Sequence, residues 1–150
     1  MQNGNTKYIW ELLNTVPDPE IPVISVVELG VIRDISFANK SYTISITPTY
    51  SGCPAVKTFM DDIKICFKEN GIENFSLKIV YAPAWTTKWM TDETKEKLRE
   101  YGIAPPSNIV ICPQCNSKNT TLISEFGATA CKSLFKCIDC LEPFEFFKCI

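Results

Sequence analysis

The chain contains no histidine among its 150 residues, and that absence removes several chemistries at once. Without imidazole there is no Cys–His or Ser–His nucleophilic pair, no histidine general base and no histidine-containing metal site. The Glu-x-x-His pairs that hold di-iron centres in helix bundles go with them. Any metal must therefore use thiolate, carboxylate or backbone ligands. Net charge is also scarce: the formal value is −2, so no bulk attraction to nucleic acid or to an anionic membrane is expected. No apolar run approaches the roughly 20 residues of a membrane span. The opening segment Met1-Gln2-Asn3-Gly4-Asn5-Thr6-Lys7 has no apolar stretch after its charge and does not read as a secretory signal. No glycine-rich dinucleotide fingerprint follows a strand. The expected compartment is the cytoplasm, where thiols stay reduced.

What the chain does have is eight cysteines in an ordinary globular composition, 45% apolar and 21% charged. Periodicity divides it near residue 107. Ile9, Leu13 and Val16, with Leu12, recur on one helical face, with Thr6 as the expected N-cap. Pro17-Asp18-Pro19-Glu20-Ile21-Pro22 stops that helix. Val31 to Phe37 and Ser41 to Thr47 read as strands joined by a hairpin turn at Ala38-Asn39-Lys40. Gly52-Cys53-Pro54 leads into a helix whose expected buried stripe is Val56, Phe59, Met60, Ile63 and Phe67, ended by Asn70-Gly71. Phe75, Leu77, Ile79 and Tyr81 alternate as a third strand. A charged helix from about Asp92 to Tyr101 follows, capped by Thr91 and ended by Gly102, and Ile103-Ala104-Pro105-Pro106-Ser107 reads as a linker. The expected architecture is α+β: a small three-stranded sheet with helices over residues 1–107, then a cysteine-rich module over residues 108–150.

Cys112-Pro113-Gln114-Cys115 and Cys137-Ile138-Asp139-Cys140 are two C-x-x-C pairs with 21 residues between them. Each pair suits a tight knuckle that aims two sulfurs at one point, and two facing knuckles make a tetrahedron suited to zinc. A module this small usually needs such a staple, because its core alone is marginal. Disulfides, a redox C-x-x-C and an iron–sulfur cluster are the alternatives on the same sulfurs; structural zinc, in a four-cysteine zinc ribbon, is favoured over them. Cys131 and Cys149 are left over: Cys131, six residues before Cys137, for buried packing or as a replacement knuckle ligand, and Cys149 for packing or as a loose thiol. Four lysines (118, 132, 136, 148) balance four carboxylates (Glu125, Asp139, Glu142, Glu145) in this module, so it carries no basic stripe for nucleic acid. The aromatic tail Phe144, Phe146, Phe147 is expected to pack or to meet protein.

Cys53, between Gly52 and Pro54 at the start of a helix, sits where a thiolate is favoured. The alternative is a buried capping thiol. Cys66 reads as core. Asp18 and Glu20 are turn formers on spacing alone. Trp85 and Trp89 are candidate partner contacts or, equally, core beneath a loop.

Three segments in order, Asp18-Pro19-Glu20-Ile21-Pro22, Val27-Glu28-Leu29-Gly30-Val31-Ile32 and Thr49-Tyr50-Ser51-Gly52-Cys53-Pro54, resemble the metal–sulfur cluster assembly domain family. With Thr47-Pro48, Ala84-Trp85-Thr86-Thr87, Tyr101-Gly102-Ile103-Ala104-Pro105-Pro106, the cysteine-rich tail and the ending Phe147-Lys148-Cys149-Ile150, the whole chain resembles the PaaD (also PaaJ) family of phenylacetyl-CoA epoxidase components. That family generally carries an acidic residue before the Leu-Gly pair, often Asp; here it is Glu28. The resemblance implies an accessory, non-enzymatic component of aerobic phenylacetate catabolism. It would assist insertion of an iron–sulfur cluster, or of iron, into an oxygenase or reductase partner. Cys53, with Asp18 or Glu20, would transiently hold that cargo. A scaffold linking oxygenase and reductase is the alternative.

Overall fold

A computed structural model describes residues 5–50 and 52–148. Met1–Gly4 of the opening segment, Ser51 of the Cys53 segment, Cys149 and Ile150 lie outside the described residues. The chain forms two compact units, Met1–Trp85 and Thr86–Ile150.

In the first unit, α1 (Thr6–Leu13) buries Ile9 and Leu13, one turn apart. Its N-cap is Asn5, not Thr6: the Asn5 side chain accepts from the Tyr8 N–H at 3.1 Å, and Thr6 is already helical. Strands β1 (Ile32–Ala38) and β2 (Ser41–Ile46) pair antiparallel. Asn39 and Lys40 between them have φ of 52° and 63°, the left-handed pair that a two-residue hairpin turn requires. Helix α2 (Ala55–Glu69) then crosses over to β3 (Phe75–Ile79), which pairs parallel to β2. A parallel partner needs such a crossover, whereas the hairpin needs none. Phe59, Ile63 and Phe67 of α2 are buried. Val56 and Met60 of the expected stripe are only half-buried.

Between α1 and β1 the proline-rich segment is pinned by side chains. Asp18 Oδ1 accepts from the N–H groups of Glu20 and Ile21 at 3.1 and 3.2 Å. Ser25 and Glu28 form a reciprocal capping box: Glu28 Oε1 accepts from the Ser25 N–H and Ser25 Oγ accepts from the Glu28 N–H.

The second unit holds α3 (Asp92–Tyr101) and a sheet in the order β4-β7-β6-β5, with β4 Ile103–Ala104, β5 Thr120–Ser124, β6 Lys132–Cys137 and β7 Pro143–Phe147. Thr91 caps α3 and Gly102, at φ 98°, ends it, as its sequence predicts. Ile103 and Ala104, expected in a linker, instead pair parallel with Glu145 and Phe146 of β7. The compact units consequently part at 85/86 rather than near 107, since α3 and β4 lie with the ribbon. Ala104, Cys112, Cys137, Phe144 and Phe146 form its core. The aromatic tail is thus interior packing: Phe144, Phe146 and Phe147 are all buried. Among the described residues no helix is long and apolar enough to cross a membrane.

Candidate metal centre and the Cys53 groove

The two C-x-x-C segments fold into matching knuckles. In the first, the Cys112 N–H donates to Ser117 O at 2.9 Å and the Asn116 N–H to Cys112 O at 2.9 Å. In the second, the Cys137 N–H donates to Glu142 O at 2.9 Å and the Leu141 N–H to Cys137 O at 3.0 Å. Asn116 and Leu141, each just after the second cysteine of its pair, share a positive φ of 62° and 67°. The turn that closes each knuckle is therefore the same, although one uses an asparagine and the other a leucine. Arg99 of α3 donates to Asn116 Oδ1 at 3.2 Å, tying that helix to the first knuckle.

The knuckles bring Cys112, Cys115, Cys137 and Cys140 together, with all four sulfurs within 4.8 Å of one another. Cys112 and Cys140 are 3.7 Å apart and Cys115 and Cys137 3.5 Å. These are not disulfide lengths, and the cysteines are free. A tetrahedron with metal–sulfur bonds of ~2.3 Å has edges of about 3.8 Å, so the spacing fits one tetrahedral ion. A multi-iron cluster would hold the sulfurs further apart, with several irons between them.

The electrostatics point the same way. The Cys140 N–H, which reaches the Cys137 sulfur at 3.4 Å, draws the Cys137 thiol down to about 7. Cys140 is pushed up to about 12: the Glu142 N–H favours its thiolate, but burial and the sulfurs of Cys137, Cys115 and Cys112 outweigh it. Four adjacent thiols cannot all ionise on their own, and a bound cation removes that conflict. Asp139 lies inside the second knuckle. The hydroxyl of Ser117, then the amide of Asn119, holds its carboxyl below its ordinary value.

Cys131, the spare thiol, is buried with its sulfur 3.0 Å from Thr129 Oγ1, which is a packing role. Phe126 lies after β5 and is 65% exposed.

In the first unit Cys53 follows Gly52, whose φ of 79° favours glycine. Cys53 is half-buried and lines an open groove of about 540 Å³ with Lys57, Met60, Lys64, Ile79 and Tyr81. The groove explains Val56 and Met60: they face it instead of the interior. Lys57 and Lys64 recur on the same face at i and i+7, a signal available in the sequence but masked by reading Val56 and Met60 as core. Asp18 and Glu20 do not join Cys53 in a ligand cluster. Among the described residues the ribbon cysteines are the one group of three or more potential metal ligands. Asp18 is buried and serves its own turn. Trp85 is 3% exposed and its indole N–H donates to Leu29 O at 3.0 Å; it is core, not a surface contact. Trp89, on the short turn Thr87–Trp89, is half-buried.

The fold and the cysteine site together define a two-part protein: an assembly-type α+β domain followed by a four-cysteine ribbon. Residues 6–65 match the family described as iron-sulfur cluster assembly protein, and residues 102–148 match the PaaD zinc beta ribbon domain. The chain belongs to the family of a protein of Escherichia coli (strain K12) that is provisionally named as a component of 1,2-phenylacetyl-CoA epoxidase. The two share 47% identity over 151 aligned residues, 95% of this chain and 92% of that protein. A protein of Porphyromonas gingivalis (strain ATCC BAA-308 / W83) named Fe-S protein maturation auxiliary factor is 29% identical over 92 residues, covering 60% of this chain and 87% of its own. The crystal structure of a domain of unknown function from Bacillus anthracis superimposes with a TM-score of 0.56 at 26% identity, covering 61% of this chain and 89% of that one.

Proposed function

We propose that this chain is a non-catalytic accessory protein of a phenylacetyl-CoA epoxidase system that helps load an iron–sulfur cluster, or iron, into a partner oxygenase or reductase component. The observation that carries the reading is the division of sulfur between two kinds of site. One is a closed set of four thiols, and the other is a single thiol beside an open groove. The likeness of residues 6–65 to iron–sulfur assembly proteins supports placing the transient site at Cys53. The ribbon holds one zinc ion through Cys112, Cys115, Cys137 and Cys140, and four protein ligands leave no open position for catalysis. Its exposed Leu122, Ile123 and Phe126 offer an apolar surface to a client, and Trp89 is a further candidate contact. Asp18 and Glu20 act in this reading by shaping the turn near the start of the domain, not as ligands.

The test measures turnover of oxygenase and reductase that already carry their full cofactors, with and without this chain. The loading role predicts no difference there, together with low iron and acid-labile sulfide in partners produced without the chain. Strong stimulation of cofactor-complete partners would reject it in favour of a scaffold.

A further inference from the structure

The four cysteines of the metal centre are unequally covered. Cys112 and Cys137 are buried, whereas Cys115 and Cys140 are exposed, so each knuckle pairs one buried cysteine with one exposed cysteine. Each knuckle is also tied within itself, by the Asn116-to-Cys112 and Leu141-to-Cys137 backbone bonds. What links one knuckle to the other therefore bears on how firmly the four sulfurs are held together. The ladder between β5 and β6 ends at Thr120 and Cys137. Beyond it the knuckles are joined by a small polar bridge. The Ile138 N–H donates to Asn119 O at 2.8 Å. Asn119 Nδ2 donates to Asp139 Oδ1 at 3.3 Å. Ser117 Oγ donates to Asp139 Oδ2 and itself accepts from the Asn119 N–H at 3.0 Å. Ser117 O meanwhile accepts from the Cys112 N–H, so the bridge runs from one ligand-bearing turn to the other.

We propose that Asp139 is a positioning residue that fastens the two cysteine knuckles together and sets the rate at which the ribbon gives up its metal ion. Its carboxylate touches no ligand sulfur in the hydrogen-bond network; it acts through Ser117 and Asn119. Both carboxylate oxygens are needed, one for each partner, which a shorter or apolar side chain does not supply. Groups that orient metal ligands at second hand commonly change metal affinity by about 10–100-fold when removed. The proposal rests on the reading that these sulfurs hold a single ion.

The experiment uses the full chain loaded with zinc and follows transfer of the ion to a chromogenic chelator, 4-(2-pyridylazo)resorcinol, at a temperature where circular dichroism shows every variant folded. Asp139→Ala should release zinc about 10–100-fold faster than wild type. Asp139→Asn keeps one carbonyl oxygen and should fall between. Ser117→Ala removes the hydroxyl that donates to Asp139 and accepts from the Asn119 N–H, keeps the backbone carbonyl that closes the first knuckle, and should also accelerate release, which keeps the test decisive if Asp139→Ala folds poorly. Glu125→Gln, an exposed carboxylate elsewhere in the unit, should release at the wild-type rate. A purely structural role for Asp139 would lower the thermal stability of the zinc-loaded chain and leave the release rate unchanged. Zinc bound but released at the wild-type rate by Asp139→Ala and Ser117→Ala overturns the proposal while leaving the metal reading intact. A wild-type chain that binds no zinc overturns both.

Discussion

Cys137 and Cys53 both sit at turns where a backbone bend presents a thiol, yet their surroundings differ. Cys137 is buried among three other sulfurs, and its turn is repeated around Cys112. Cys53 has a groove, two lysines and no second cysteine among its lining residues. A site with four converging donors retains an ion, and its binding energy becomes folding energy. With Asp61 the one carboxylate among the lining residues of its groove, the Cys53 site can hold a cargo only while other molecules supply further ligands. Under the proposed function, the two halves of this chain use cysteine for opposite ends: retention of an ion in the ribbon and exchange at Cys53.

The harshest test of that contrast removes a ribbon ligand. Cys137→Ser should abolish stoichiometric zinc and unfold the second unit, because structural zinc contributes ~10–16 kcal/mol in small finger peptides. Hydrogen exchange should show lost protection in β5, β6 and β7 and also at Ile103 and Ala104, which depend on β7 for their pairing. Protection in β1, β2 and α2 should remain. Loss of protection throughout the first unit would mean that the halves are not energetically distinct.

Cys53→Ala should do the reverse: leave both units folded, with a stability change under about 1 kcal/mol, and cut the iron and sulfide content of the client severalfold. Alkylation sharpens the point. Cys53 lines an open groove, whereas the Cys66 sulfur sits against Leu12 O at 3.8 Å and Asn70 Nδ2 at 3.9 Å. Iodoacetamide should therefore label Cys53 first, as read by mass spectrometry of the peptides. Cys66 reacting before Cys53 would count against the exchange site.

Acid should act on the ribbon site. The metal-free Cys137 thiol is lowered from its ordinary 9.0 to about 7, so its ionised form contributes stability above the ordinary value, and that contribution is lost as pH falls through 7. Cys140 behaves oppositely: raised to about 12, it favours the metal-free fold below its ordinary value and loses that effect as pH climbs toward 12. Zinc needs all four as thiolates, so binding releases protons and weakens on acidification, by about tenfold per pH unit for each proton displaced. Competition titrations at pH 6, 7 and 8 should show affinity rising with pH. A flat profile would mean that the ligands are not these thiols.

The ribbon is legible in the sequence because C-x-x-C spacing encodes a local turn, and the turn alone aims two sulfurs. The β1–β2 hairpin is legible for the same reason, since Asn39 and Lys40 tolerate the left-handed region. Non-local pairing is not. Ile103-Ala104 is only two residues long and is followed by Pro105-Pro106, so nothing local announces a strand; β7 makes it one. The groove is hidden because Val56 and Met60 fit an amphipathic stripe, and only non-local packing decides which apolar side chains of α2 are covered. Ser25-Val26-Val27-Glu28 carries a capping-box spacing that accounts for an acid at position 28, and it is easily missed because no long helix follows it.

The smallest effect bears on where the two halves divide. Thr91 caps α3 by accepting from the Thr94 N–H at 3.2 Å, and Thr94 is itself buried. Thr91→Ala should cost about 0.5–2 kcal/mol, the usual loss for such a cap. Because α3 lies in the second unit and Arg99 reaches Asn116 of the first knuckle, that loss should appear in the unfolding of the ribbon. Asn5→Ala, which removes the α1 cap, should cost a similar amount in the first unit alone. Hydrogen exchange of the two variants, read unit by unit, tests the division. If Thr91→Ala lowers protection in β1 and β2 but not in β5 to β7, α3 belongs energetically with the first unit, and the divide returns to the neighbourhood of residue 107. If the effect stays in the ribbon, the metal-stabilised part of the chain begins well before its first cysteine.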